Sequence, residues 1–398
     1  MHLRTPRTRP TSPSRAICYV TTILPSFTAF FARTAAHLAA QLHVGVCVIS
    51  SEGASAMSAA RPVRFEIVAM RRGIDPHAAL ATIKMYQVFR RERFSIVEYT
   101  TPKAALYASI AAFFARIPIR IYKQGGLRYL GFTGTRRWFF KQLERLTCRL
   151  STHVEPVSKS NLEQGERDGL YSKAKSSVIW NGSACGVDLE RFDPARAPQW
   201  RKEFRDGLGV AQSSVVIGFV GRLSRDKGAN ELLVACREIM AARADVVLVI
   251  VGRLNETDGI ASDLAEWMRQ EPRVVLCGFR EDIPVCMAGM DILALPTYRE
   301  GFGQVLIEAQ AIGVATVSTA VPGPVDAVVH EHTGILVRPG DARALTYALR
   351  RLVDDPALRM RFASEGVEHA RRSFDQTQFL EHVAATRRRQ LVEAGLAW

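Results

Sequence analysis

Glu300 and Glu308 bracket a glycine-bearing stretch, Glu300-Gly301-Phe302-Gly303-Gln304-Val305-Leu306-Ile307-Glu308. Just upstream, the apolar run from Asp291 to Leu295 ends at Pro296 and reads as a buried strand. The glycines then read as a tight turn, and Val305 onward as a helix. This order puts one carboxylate at the C-terminal end of a strand and the other on the first turns of the next helix. In an open α/β sheet, ligands bind along that edge. A helix N-terminus adds free backbone N–H groups and the positive end of a dipole, which suit phosphate. The glycines let a backbone approach a ligand closely.

A second element of the same kind precedes it. The strand-like run Val215-Val216-Ile217-Gly218-Phe219-Val220-Gly221 leads into Arg222-Leu223-Ser224-Arg225-Asp226-Lys227-Gly228, and a helical pattern starts at Asn230. Arg222 and Lys227 flank a short loop at a strand end. A planar guanidinium fork and a compact ammonium together suit a diphosphate. The spacing is not that of a P-loop, and no GxGxxG occurs. No Asp-x-Asp triplet occurs either, so no metal ligands are assigned and the charge work falls to Arg and Lys.

The elements that must position these groups alternate along the chain. In the first half, strands are predicted at 17–23, 44–50, 64–70, 95–100, 119–123, 152–158 and 177–180. Helices are predicted near 28–42, 76–93, 103–115, 134–150 and 159–169. In the second half, strands are predicted at 215–220, 246–251, 274–278, 291–295, 315–319 and 335–337, with helices near 229–242, 260–270, 304–312, 343–353 and 357–373. Such alternation implies two mostly parallel, doubly wound α/β sheets. The stretch from Phe192 to Gln212, with Pro194, Pro198 and Gly209, reads as a linker between them. Two such domains facing each other make a cleft into which both C-terminal sheet edges point.

Gly221-Arg222-Leu223 with Lys227-Gly228, and Glu300-Gly301-Phe302-Gly303 with Glu308, resemble the two signatures of glycosyltransferase family 4. Asn181-Gly182-Ser183-Ala184-Cys185-Gly186-Val187-Asp188 with Arg191-Phe192 resembles the segment before that family's second domain. Gly334-Ile335-Leu336-Val337-Arg338-Pro339-Gly340-Asp341 resembles a late signature. The resemblance runs from about Ala16 to Phe374. It implies the GT-B fold, two Rossmann-like domains, and retaining transfer of a hexose-type sugar from a nucleotide donor, UDP-linked, without a metal or other cofactor. Residues 1–15 would be a basic disordered tail, 16–195 the acceptor domain and 196–374 the nucleotide-sugar domain. Residues 375–398 would form a C-terminal helix crossing back to the first domain. Arg222 and Lys227 would neutralise the departing diphosphate. Backbone N–H groups at Gly301, Phe302 and Gly303 would assist, Glu308 would accept from the ribose hydroxyls, and Glu300 would sit nearer the sugar. Phe302 could equally pack beneath its loop. Gly278 and Phe279 are placed by position near a nucleobase.

The acceptor half is less explicit. Thr100, Thr101 and Lys103 follow a strand and precede a helix with Pro102 in its first turn. In Lys123-Gln124-Gly125-Gly126-Leu127-Arg128-Tyr129, many members of the family carry His or Arg where this chain has Gly125. That departure argues against a His-assisted step. The resemblance favours a lipid-linked saccharide acceptor of capsule, exopolysaccharide or O-antigen assembly. Two other readings stand beside it: a GT-B-like nucleotide-sugar epimerase, which would need acid/base groups near Gly125, and a non-catalytic nucleotide-sugar-binding protein.

The 398 residues fit about two domains of ~150–200 residues each. The net charge of +14 draws on Arg4, Arg7, Arg9 and Arg15, on Arg90-Arg91 with Arg93, on Arg136-Arg137, and on Arg387-Arg388-Arg389. No nucleic-acid-binding motif accompanies it. Anionic lipid headgroups or a nucleotide sugar account for it more simply. Arg136-Arg137-Trp138-Phe139-Phe140-Lys141 mixes basic and aromatic residues, as a membrane-surface helix would, although the aromatics could also be core. The seven cysteines lack metal or CxxC spacing, which fits a reducing compartment. Ala16 to Ala32 is too interrupted by Thr and Pro for a signal segment. Ala104 to Ala115 falls short of the ~20 apolar residues of a spanning helix. The expected location is the cytoplasm, with the inner membrane face as a candidate peripheral contact.

Overall fold

The computed structural model describes residues 14–51, 63–70, 78–254 and 259–396. Arg4, Arg7 and Arg9 lie outside these. The first domain contains strands β1 (Ser14–Val20), β2 (Gly45–Ser50), β3 (Val63–Ile67), β4 (Phe94–Tyr99), β5 (Ile119–Gln124) and β6 (His153–Pro156). The second contains β7 (Val215–Val220), β8 (Val246–Val251), β9 (Val274–Gly278), β10 (Ile292–Leu295), β11 (Ala315–Thr319) and β12 (Gly334–Val337). Each domain is one six-stranded sheet, ordered β3-β2-β1-β4-β5-β6 and β12-β11-β10-β7-β8-β9. The strand pairings are parallel. The strand order therefore reverses between β1 and β4 in one domain and between β7 and β10 in the other. At such a reversal the connections leave in opposite directions, so a crevice opens beyond the strand ends.

Strands buried on both faces explain the unbroken apolar runs in the sequence. β7 and β8 are buried throughout. The second-domain core joins β7, β8, β10 and β11 to helix residues such as Leu232, Leu306 and Leu349. The first sheet has a core on each face. One is packed by helices Ala78–Glu92 and Pro102–Phe114. The other is packed by Leu24, Phe27, Ala35 and Leu38, together with Phe379, Val383, Ala384 and Leu391 of the last helix, Gln376–Glu393.

Several expectations need correction. The first strand begins at Ser14, so Arg15 belongs to the sheet rather than the tail. The single first helix is two, Leu24–Phe30 and Ala32–Leu42, broken at the non-helical Phe31. No strand forms at 177–180; only Ser176 bridges to Val154, and the chain turns at Trp180, whose φ is 52°. The expected linker is largely a helix, Ala197–Leu208. Its Trp200 and Phe204 are buried in the second-domain core. Arg205, 1% exposed, donates to Gly289 O, Ser214 O and the Asp291 carboxylate at 2.9, 2.8 and 2.7 Å. Pro and Gly at its ends delimit the helix rather than prevent it.

Candidate active site

The two strand-order reversals face one another across a cavity of about 460 Å³. Thr101, Lys123, Gly125 and Arg128 line it from the first domain, and Arg222, Lys227 and the 299–304 loop from the second. The sequence-selected Arg222, Lys227, Glu300, Gly301, Phe302 and Gly303 thus converge on one wall.

Sequence-distant glycines let the loops close on each other. A Cβ at Gly301 would lie 2.4 Å from the Gly125 carbonyl oxygen, so the two loops pack backbone on backbone. Gly303, with φ of 89°, turns the chain into helix Gln304–Ala311. The first domain also grips this loop through Asn161, whose Nδ2 donates to Glu300 O at 3.1 Å and Gly301 O at 2.8 Å. Beside it, Ser160 N donates to the Asp326 carboxylate at 3.1 Å and Gly323 N donates to Ser160 Oγ at 2.8 Å.

The charged groups form two sets. Lys227 Nζ donates to the Glu300 carboxylate, both side chains being part-buried. Asp226 takes Arg222 at 3.3 Å, Arg299 at 3.1 Å and the Ser224 hydroxyl at 2.6 Å. Burial alone would raise the Asp226 pKa. The Ser224 hydrogen bond and the charges of Arg222, Arg299 and Lys227 outweigh it and hold the group below the ordinary carboxylate range. Asp226 and Arg299 were missed as site residues, although Asp226 stands inside the first motif and Arg299 immediately before the second. Their signal was the alternation of cations and acids in a short loop. Asn161 and Asp326 had no local signal.

Glu308 lies further along helix Gln304–Ala311, outside the lining of this cavity and half-buried. It faces the 185–191 segment: Gln304 Nε2 donates to Gly186 O at 2.7 Å, and Arg191 and Cys185 sense the Glu308 charge. Burial pushes its pKa up to about 7, against the pull of Gln304 and Arg191. The Phe302 side chain is 3% exposed and sits edge-on to Phe374 at 5.3 Å, which fixes the loop from beneath. Phe279 is exposed, with the Arg253 guanidinium 5.4 Å from its ring.

In the first domain, Thr101 adopts φ 62°, a costly conformation for a β-branched residue. Its hydroxyl shares a 2.7 Å hydrogen bond with that of Thr22, tying together the loops after β1 and β4. Lys103 does not line the cavity; it lies over the Tyr107 ring. On helix Gly134–Leu150, Trp138 and Phe139 are 65% and 42% exposed, whereas Phe140 stacks on Phe132. Among the described residues, no three His, Cys, Asp or Glu side chains are grouped to hold a metal ion. Among the same residues, no helix is long and apolar enough to cross a membrane.

The family model for glycosyl transferases group 1 matches residues 201–369. The capsular polysaccharide biosynthesis glycosyltransferase CapM of Staphylococcus aureus is 30% identical over 333 residues, 83% of this chain and 86% of that one. The UDP-Gal:alpha-D-GlcNAc-diphosphoundecaprenol alpha-1,3-galactosyltransferase of Escherichia coli is 29% identical over 282 residues, 69% of this chain and 70% of that one. Among solved structures, Anabaena HepE in complex with UDP and glucose superposes with a TM-score of 0.74 at 22% identity, covering 93% of this chain and 98% of that one. Sucrose-phosphate synthase from Thermosynechococcus elongatus gives 0.77 at 19% identity, covering 96% and 100%. Both likenesses show the same two-domain GT-B architecture.

Proposed function

Since this chain belongs to the glycosyl transferases group 1 family and is a glycosyltransferase, we propose that it transfers a sugar, with retention, from a UDP donor to a saccharide on a lipid diphosphate carrier in capsule or related polysaccharide synthesis. The observation that carries this reading is the convergence of Arg222, Lys227 and Glu300 at the β7/β10 reversal, facing a wall from the other domain. Family 4 membership fits the spacing of Glu300 and Glu308. The UDP donor is supported by the names of the E. coli relative and of the HepE complexes, and the lipid diphosphate acceptor by the E. coli name.

In this reaction the bond from the anomeric carbon to the diphosphate breaks, and a bond to the acceptor oxygen forms on the same face. The acceptor hydroxyl proton passes to the departing phosphate oxygen. Arg222 and Lys227 stabilise the charge that grows on the diphosphate, an effect strongest in a water-poor cleft. Glu300 favours positive charge on the sugar. The Lys227–Glu300 contact holds both groups at the cavity until the donor takes over the ammonium. Incubation with a panel of nucleotide sugars and a lipid-diphosphate acceptor tests the reading. A UDP sugar should be consumed to give an α-configured product from an α-linked donor, and EDTA should leave the rate unchanged. An inverted product, an epimer or strict dependence on added divalent metal would overturn the corresponding part.

Glu308 would take the ribose hydroxyls as a carboxylate. Its pKa of about 7 therefore predicts that UDP binds more tightly as pH rises through neutrality. Glu308→Gln should abolish that pH dependence in calorimetric titrations. A wild-type affinity flat between pH 6 and 8 would remove Glu308 from the ribose.

The exposed Trp138 and Phe139, with the exposed Arg136 and Arg137, support peripheral contact with an anionic membrane surface. The protein should sediment with anionic vesicles and release as salt rises, because each surface cation contributes only ~1 kcal/mol and is screened. Trp138→Ser with Arg136→Gln and Arg137→Gln should lower that binding. Its melting should hardly move, since surface substitutions stay within about 0.5 kcal/mol. Undiminished vesicle binding would exclude this helix as the contact.

A further inference from the structure

The cations of the cavity are not equally provided for. On the second-domain wall Lys227 has Glu300, and Arg222 and Arg299 share Asp226. On the first-domain wall, Lys123 and Arg128 have no acidic partner within ion-pair distance among the described residues. Lys123, at the end of β5, is 4% exposed. Its Nζ lies over the Phe379 ring, 5.5 Å from the ring centroid. Glu98 and Glu155 lie in its field, but their hydrogen bonds go elsewhere: Arg387 donates to Glu98 at 2.8 Å and to both oxygens of Glu155, and Gln390 donates to Glu155 at 3.1 Å. Burial, with the charge of Arg387 adding to it, lowers the Lys123 pKa, and the field of these carboxylates offsets only part of that. An ammonium has three N–H donors, and a buried one ordinarily spends them. Those of Lys123 are unspent among the described protein groups, and the residue is one of those that line the cavity.

Gly125 completes the arrangement. An added Cβ there would meet no atom within 4 Å, so the wall is open at the position two residues beyond Lys123. Arg128 stands at the rim over the Phe140 ring at 5.1 Å, with Arg299 and Arg136 as cationic neighbours. Like charges crowded at a cavity mouth favour an anion between them.

We propose that Lys123, with Arg128 at the rim, forms an oxyanion site in the first-domain half of the cleft that holds the phosphate of a phosphate-linked acceptor. The proposal rests on the acceptor reading above. It adds a contact separate from the diphosphate contacts of Arg222 and Lys227.

The direct test is titration of inorganic pyrophosphate into the full chain saturated with UDP, so that the donor site is filled. Wild type should bind it. Lys123→Met should bind about tenfold more weakly, the scale of a lost charge-assisted hydrogen bond, and Lys123→Arg should recover most of the loss. Equal pyrophosphate affinity in wild type and a folded Lys123→Met would overturn the site, as would loss of all pyrophosphate binding once UDP is present. Lys123→Gln, with melting measured, guards against a variant that fails to fold. A kinetic arm uses two acceptors with the same sugar, one an alkyl diphosphate and the other an alkyl glycoside. Lys123→Met should raise KM for the first about tenfold more than for the second; equal changes in both would overturn the assignment. UDP affinity is read in the same experiment. If UDP does not bind, the donor reading fails, while the pyrophosphate response of Lys123→Met against Lys227→Ala still decides this one.

Discussion

Glu300→Ala is expected to lower turnover by about 100-fold or more while leaving the melting transition close to wild type. Removal of one preorganised electrostatic contact from a transition state costs about 10²–10³ in rate. Two features of Glu300 point to a loss of that kind rather than a loss of fold. Its carboxylate is at the cavity and bonded to Lys227, not to the core. Its backbone carbonyl is held by Asn161 whatever side chain the residue carries. Lys227→Ala should also reduce turnover. Because the two groups touch, the double variant should lose less than the product of the single losses. Near-wild-type turnover of Glu300→Ala with a lipid-linked acceptor would exclude the residue from the chemistry. A lowered melting point matching the activity loss would make its role structural.

Arg387→Met is expected to destabilise the protein by about 3–5 kcal/mol, the usual cost of breaking a buried ion pair from one side. Arg387 is 1% exposed and donates to Glu98 and Glu155, which are 3% and 1% exposed. It belongs to the last helix, whereas both carboxylates belong to strands of the first sheet. The pair is thus a tie between the end of the chain and the first domain, beside the apolar seam of Phe379, Val383 and Leu391. Removal leaves two carboxylates buried without their cation. The sign of the pH dependence follows. Burial alone would raise the Glu155 pKa, but Arg387 holds it well below its usual 4.5. This contribution is complete above about pH 4.5 and is lost as pH falls through the depressed value. The Arg387→Met deficit, measured by urea unfolding, should therefore be largest near pH 7 and shrink as pH falls, first as the uncompensated buried carboxylates of the variant take up protons and then, below about pH 4.5, as the wild type loses its own contribution. Arg388→Ala, which loses a contact to Gln41 on an exposed side chain, should stay within about 0.5 kcal/mol. Equal effects of the two substitutions would contradict the buried tie.

Much of the architecture was written locally. The apolar runs at β7, β8 and β10 have few neighbours that could interrupt a strand, and the turns that follow carry glycine where the chain must bend or approach another backbone. Arg222, Lys227 and Glu300 could be placed at strand ends because those ends are marked by the sudden change from apolar to charged residues. Alternation of strand and helix then left a doubly wound parallel sheet as the economical arrangement of each half.

Long-range partners were not written locally. Arg387, Arg388 and Arg389 look alike in the sequence, yet the first is buried between two carboxylates from β4 and β6 and the second lies at the surface. A guanidinium carries no mark of the dielectric it will meet. Helix Ala197–Leu208 was hidden because its bounding Pro and Gly resemble those of a linker, and only its packing through Trp200 and Phe204 shows that it is core. Glu308 follows the same motif as Glu300, but it is not among the residues that line this cavity, and its charge is felt by Arg191 and Cys185 of the segment before the second domain. The spacing of residues fixes which groups share a loop or a helix. Which groups share a cavity depends on how two domains meet, here through the contact of Gly301 with Gly125, and that is decided by packing between segments far apart in the chain.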